Sequence, residues 1–183
     1  MVRLGEALRR VTQDANIPLV VDDRLDVALA VDADGLHIGG DDMPWRIARR
    51  LLGPEKILGC STYGRADLVR EALSPEVRAD ILGSGAIFGS PTKHSSVPKG
   101  VDHLGPLRSL ITEEAGGREV PVVAIGGVGV DTAAACILAG ADGIATVSAL
   151  LAHDTAEGSR RAAVAMSEAI RGALAQRDAA GAS

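Results

Sequence analysis

The sequence predicts an α/β fold in which parallel strands alternate with helices, and three observations carry that prediction. The first is the stretch from Val120 to Leu150. An apolar run, Val120 to Ile125, ends in Gly126-Gly127-Val128-Gly129. An Ala-rich helix then begins near Asp131, and Gly140-Ala-Asp-Gly leads into a second apolar run ending at Ser148. That order reads as strand, helix and parallel strand. The second is a weak internal repeat: Ile17-Pro-Leu-Val-Val resembles Val120-Pro-Val-Val-Ala, Ala33-Asp-Gly-Leu resembles Ala141-Asp-Gly-Ile, and Ala79-Asp-Ile-Leu is a looser third copy. It groups the strand–helix units into three pairs. The third is composition. Trp45, Tyr63 and Phe88 are the three aromatic residues, while 46% of the 183 residues are hydrophobic, so the core is built from Ala, Val, Leu and Ile, as in buried parallel sheets.

Each element follows from local pattern. Leu4, Leu8, Val11 and Ala15 recur at spacings of three and four, which predicts a helix over 3–15. Residues 17–21 form a strand with Pro18 near its start, where a missing N–H is tolerated, and it ends at Asp22-Asp23-Arg24. A short helix over 25–31 precedes a second strand, 33–39, and the acidic loop Gly40-Asp41-Asp42-Met43-Pro44. Pro44 suits the first turn of a helix over 44–52. Residues 56–61 give a third strand with a polar end, 64–73 a helix and 79–83 the fourth strand. The segment 84–100, rich in Gly, Ser, Pro and Lys, is the longest loop, and loops of that length inside a domain are usually functional or disordered. A helix over 102–115 leads to the fifth strand, 120–125, and the sixth ends at Ser148. The last helix covers 159–176, with Ala163, Met166, Ile170 and Leu174 on one side. Residues 1–176 are read as one domain and 177–183 as a flexible tail.

The totals narrow the function. A net charge of −5 and the scarcity of aromatics argue against nucleic acid as a partner and favour a small ligand held by local groups. Cys60 and Cys136 lack metal-ligand spacing and read as thiols of a reducing compartment, and no apolar run has membrane-spanning length, so the expected location is cytoplasmic.

Polar groups at the ends of nearly every strand favour a (β/α)8 barrel over an open doubly wound sheet, although a complete barrel needs a fourth pair. The strand ends offer Asp23, Asp42, Ser61, the loop Ser90-Pro91-Thr92-Lys93, Gly127 and Ser148. Gly126 and Gly127 after a strand can bare backbone N–H groups to a phosphate, or serve only as a tight turn that needs glycine. Two carboxylates from adjacent loops suit Mg2+, a hard cation that takes oxygen ligands and shares substrate phosphates. Their alternative is helix capping, by Asp22 and Asp23 for the helix at 25 and by Asp41 and Asp42 for the helix at Pro44. His37 alternates with Leu36 and Ile38 and faces either a ligand or the core. Cys60 has no basic partner and reads as buried packing.

Five segments, PLVVDDRLDVALAVDADGLHIGGDDMP, ILGCST, ILGSGAIFGSPTK, VPVVAIGGV and AGADGIATVSAL, in this order and spacing over Ile17 to Leu150, resemble the thiamine-phosphate synthase family. The resemblance implies a (β/α)8 TIM barrel that joins hydroxymethylpyrimidine diphosphate to thiazole phosphate, giving thiamine phosphate and pyrophosphate. It implies that Asp23 and Asp42 hold Mg2+, that Ser61 and Lys93 act on the diphosphate, that Asp22 and His37 line the substrate, and that Ser90, Thr92, Gly127 and Ser148 hold the thiazole phosphate.

The chain departs from the family pattern at Asp22, where Asn is usual, at Gly40, where Gln is usual, and at Ser90, where Thr is usual. The family's first strand, first helix and second strand, with its Gln-x-Arg-x-Lys group, have no counterpart, which leaves six strands of the barrel. Segments 17–22 and 142–147 are then open edges, which invite a homo-oligomer or completion from upstream of Met1. Two further readings share the fold: a thiazole tautomerase, whose His is replaced here by Ala86, and a phosphate-ligand binding relative without catalysis.

Overall fold

The structure, a computed structural model, describes residues 1–89 and 97–181. Its elements run in the order α1 (Val2–Asp14), β1 (Val20–Asp22), α2 (Leu25–Ala30), β2 (Gly35–Ile38), α3 (Trp45–Leu52), β3 (Ile57–Ser61), α4 (Ala66–Leu73) and β4 (Ile81–Ser84). After the long loop come α5 (Leu104–Glu114), β5 (Val122–Ile125), α6 (Val130–Leu138), β6 (Gly143–Ala145), α7 (Ser148–Leu151) and α8 (Ala156–Gly181). The alternation is the α/β pattern expected. The chain divides into two compact units, Met1–Leu82 and Gly83–Ser183, with β4 crossing from one to the other.

In the first unit β1 pairs in parallel with β2, and β2 with β3, in a register that sets Asp22 opposite His37 and His37 opposite Gly59. Its core gathers Leu36, Ile38, Leu58, Val69, Ala48 and Trp45, all essentially inaccessible to water. In the second unit β5 pairs in parallel with β6, and Ile87, Leu104, Ile111, Val122, Ala124 and Ile137 fill the core.

The internal repeat has a structural content. Asp34, Asp80 and Asp142 each stand just before a strand and exchange two hydrogen bonds with the strand before it. The Asp34 N–H donates to Leu19 O at 2.8 Å and its carboxylate accepts from Leu19 N–H at 2.7 Å. Asp80 does the same with Leu58, at 2.8 and 2.9 Å, and Asp142 with Val122, at 2.8 and 2.8 Å. An arginine from the odd-numbered helices closes each pair: Arg9 of α1 on Asp34, Arg49 of α3 on Asp80, and Arg108 of α5 on Asp142. The first five strands begin one to three residues later than expected, at Val20, Gly35, Ile57, Ile81 and Val122.

Two other elements, β6 and the last helix, differ from expectation, while α1 is the helix expected. The apolar positions of α1 are exposed, Leu4 at 65%, Leu8 at 46% and Val11 at 64%. The side of α1 that packs inward is Gly5, where a Cβ would stand 2.9 Å from Val31 Cγ1, because Arg9 must reach Asp34 from that face. The apolar run to Ser148 stops as a strand at Ala145, and Ser148 opens the single turn α7. The last helix runs from Ala156 to Gly181, longer at both ends than residues 159–176, and packs on α6 and α7 with Met166 and Ala173 buried.

Candidate functional site

The C-terminal ends of β1, β2 and β3 bring most of the predicted residues of the first unit together. Asp22 ends β1 and faces His37 across the register. The His37 ring and the Ser61 hydroxyl are hydrogen-bonded, Nε2 to Oγ, at 2.9 Å. Asp22, His37 and Ser61 thus form a row across three adjacent strands. Gly59 makes the row possible, because a Cβ at Gly59 would lie 2.3 Å from His37 Nδ1. Burial pushes the His37 pKa below its ordinary value, and the Asp22 carboxylate pulls it back up in part.

Asp23 follows with φ +60°, a left-handed conformation in which Asp is tolerated better than most residues, and its N–H donates to His37 O at 2.8 Å. In the next loop Asp42 Oδ2 accepts from the Gly39 N–H at 3.0 Å, and Trp45 Nε1 donates to Gly39 O at 3.0 Å, so a buried indole holds the turn that carries the carboxylate. Arg24 stands at the N-cap of α2 and Pro44 at that of α3, both without a side-chain cap bond, so neither acid pair occupies an N-cap position. Asp22, Asp23 and Asp42 are all exposed. Asp23 and Asp42, on neighbouring strand ends, are the carboxylates of this unit that could offer oxygen ligands to a hard cation such as Mg2+. Among the described residues no group of three or more His, Cys, Asp or Glu forms a metal cage.

Tyr63 was not singled out from sequence. A Cβ on Gly39 would meet Asp42 Oδ2 at 2.6 Å and the Tyr63 hydroxyl at 3.3 Å, so the phenol stands over the same turn as the carboxylate. Its position two residues beyond Ser61, on the same strand-end loop, is the signal that points to it.

In the second unit Gly126 and Gly127 have φ +96° and +67°. Both are pressed against the first residues of the long loop: a Cβ at Gly126 would lie 2.7 Å from Ala86 Cα, and one at Gly127 would lie 2.3 Å from Gly89 O. Glycine is required at both by φ and by contact. The Thr146 hydroxyl donates to Val128 O at 2.9 Å, tying the loop after β6, which leads to Ser148, to the loop after β5. Ser90, Thr92 and Lys93 lie outside the described residues.

Cys60 and Cys136 are free and buried, and burial pushes the Cys60 thiol up to about 12. No helix of the described residues is long and apolar enough to cross a membrane.

The sequence model of the thiamine monophosphate synthase family matches residues 1–150. The thiamine-phosphate synthase of Moorella thermoacetica is 47% identical over 164 residues, 88% of this chain and 73% of the relative. That of a Roseiflexus species is 40% identical over 182 residues, 99% of this chain and 72% of the relative. A solved thiamine phosphate pyrophosphorylase from Pyrococcus furiosus superposes with a TM-score of 0.79 at 33% identity, covering 95% of this chain and 77% of that one, so the fold is the TIM-like α/β fold expected. With relatives this similar over most of their length, and with the family's sequence pattern running from Met1 through Leu150, the chain belongs to the thiamine monophosphate synthase family.

Proposed function

We infer that the chain is a transferase that joins hydroxymethylpyrimidine diphosphate to thiazole phosphate, releasing pyrophosphate and leaving thiamine phosphate. The observation that carries this reading is the family match over residues 1–150. The carbon–oxygen bond between the pyrimidine methylene and the diphosphate breaks, and the thiazole nitrogen supplies the electron pair for the new carbon–nitrogen bond. The protein's task is to stabilise the departing charge and to hold the nucleophile in place.

In this reading Ser61 donates its hydroxyl to the diphosphate, and His37, hydrogen-bonded to it at 2.9 Å, holds that hydroxyl in one rotamer. Lys93 adds a positive charge to the same leaving group. Asp23 and Asp42 would hold Mg2+, which supplies charge neutralisation at the diphosphate oxygens. The Gly39 N–H bond on Asp42 supports that role, since it holds a carboxylate at a strand end. Asp22, beside His37, lines the substrate and adds a negative charge near the diphosphate. Gly127 offers its backbone N–H to the thiazole phosphate, with Ser148, Ser90 and Thr92 as hydroxyl donors.

The tautomerase alternative lacks a base at Ala86. The relatives described above are named for the synthase, which favours catalysis over bare ligand binding. The exposed apolar side chains of α1 give the chain a surface through which two copies would associate, and its buried free thiols suit a reducing cytoplasm.

Formation of thiamine phosphate by the purified chain, given both substrates and Mg2+, tests the reading. Turnover is expected, with Lys93→Ala and Asp42→Ala each lowering it at least about a hundredfold, the scale on which loss of one charge-stabilising group acts. Unchanged turnover in both variants would overturn the assigned roles. Binding of thiazole phosphate without any turnover would favour the non-catalytic reading.

A further inference from the structure

We propose that His103 is a positioning residue for the glycine cradle at Gly126 and Gly127, acting through Ser84 and Gly100 on the backbone against which the cradle leans. The proposal rests on the reading of Gly127 as a phosphate-binding position.

Ser84, the last residue of β4, is fully buried, and its hydroxyl lies 2.8 Å from His103 Nε2. On the other side of the ring, Nδ1 lies 2.8 Å from Gly100 O. A carbonyl only accepts, so Nδ1 carries the proton, and Nε2 of the neutral ring accepts from the Ser84 hydroxyl. One imidazole therefore joins the residue that enters the long loop to a residue that leaves it.

The backbone between these two points is held on both edges. The Lys99 N–H donates to Ala86 O and the Gly100 N–H to Ile87 O, each at 2.9 Å. On the opposite edge the Ile87 N–H donates to Ile125 O and the Phe88 N–H to Gly126 O, again at 2.9 Å. Residues 86–89 thus form a short ribbon between the returning limb at 99–100 and the end of β5, and Gly126 and Gly127 have room for no side chain against it.

Ser84 is fully buried, and a buried hydroxyl left without a partner is costly, so the ring and the hydroxyl hold each other in place. An apolar pair of similar size would fill the same space without fixing a direction. Two hydrogen bonds from one rigid ring do fix it, and with it the wall of the cradle.

The test compares His103→Leu, Ser84→Ala, the double variant and His103→Gln with the unmodified chain. Calorimetry measures binding of thiazole phosphate and of pyrimidine diphosphate, and hydrogen exchange follows the amides of Ile87, Phe88, Lys99 and Gly100. Each single variant is expected to weaken thiazole phosphate about three- to tenfold, the scale of one buried hydrogen bond, and to leave pyrimidine diphosphate within about twofold. Exchange at the four amides should quicken, the double variant should be no worse than His103→Leu alone, and His103→Gln, which keeps an acceptor for Ser84, should recover part of the affinity. Equal weakening of both substrates would reveal a merely structural role and overturn the proposal, as would unchanged exchange at the four amides. If the unmodified chain binds thiazole phosphate and the variants behave as described, but no thiamine phosphate forms, the transferase reading fails and the positioning role stands. If it binds no thiazole phosphate, the positioning role fails.

Discussion

Gly59 shows how much of the site depends on single positions. Its missing side chain is the space occupied by the His37 ring, since a Cβ there would lie 2.3 Å from Nδ1. Gly59→Ala is expected to displace the ring, break the bond to Ser61 and lower turnover by about tenfold or more, with the fold retained by circular dichroism. Asp22 adds a negative charge beside the same ring, and Asp22→Asn, the residue usual in the family, would remove it. Cys60 illustrates the opposite case, a reactive group made inert. Its thiol, pushed up to about 12 by burial, stays protonated at neutral pH. Because the folded value exceeds the unfolded one, the contribution of this group to stability is present below about pH 9 and is lost as pH rises through the interval to about 12. The native chain should therefore leave Cys60 unlabelled by a thiol reagent at pH 8 until denaturant is added. Rapid labelling without denaturant would contradict its burial.

At the scale of elements, the Arg–Asp pairs explain why the sequence repeats. Each aspartate accepts from an N–H at or beside the start of one strand while its own N–H pairs with the same residue, so strand and neighbour are set in register by one side chain. The arginines satisfy loop carbonyls as well: Arg49 donates to Val77 O, Gly53 O and Lys56 O, and Arg108 to Gly140 O and Val120 O. The ion pairs themselves are partly exposed, so the charge-assisted bonds to the backbone carry most of the effect. Asp80→Ala leaves the N–H of fully buried Leu58 without its acceptor and should cost about 1–3 kcal/mol in urea unfolding. A loss below about 0.5 kcal/mol would mean that water replaces the carboxylate there.

For the whole molecule, the exposed apolar side chains of α1 are the feature most at odds with an isolated chain in water. Leu4, Leu8 and Val11 lie on one side of the helix, and a surface of that kind invites association. Sedimentation of the chain at micromolar concentration is expected to show a species larger than one copy, and Leu8→Glu with Val11→Glu should shift it to the monomer. A monomer in the unmodified chain would contradict association through this face. The net charge of −5 gives no general attraction for phosphorylated substrates, so under the proposed function their capture would fall to local groups.

Much of this was legible in the chain itself. Strand–helix alternation, the order of elements and the strand-end positions of Asp23, Asp42, Ser61 and Gly127 follow from apolar runs, glycines and turn residues, because periodicity and backbone preference act over a few neighbouring residues. The family likeness followed from the same residues in their order. What the sequence left open was settled by contacts between residues far apart. The alternation of His37 with its neighbours allowed two environments, and only pairing of β2 with β3 sets its ring against Ser61 and over Gly59. The apolar spacing of α1 predicts a helix but not which side packs inward, and the reach of Arg9 to Asp34 sets Gly5 on that side. The bridge from Ser84 through His103 to Gly100 spans the longest loop, and no local pattern announces it. Local propensity decides which elements form; the partner across a strand or a loop, which is a matter of tertiary packing, decides what each side chain can do.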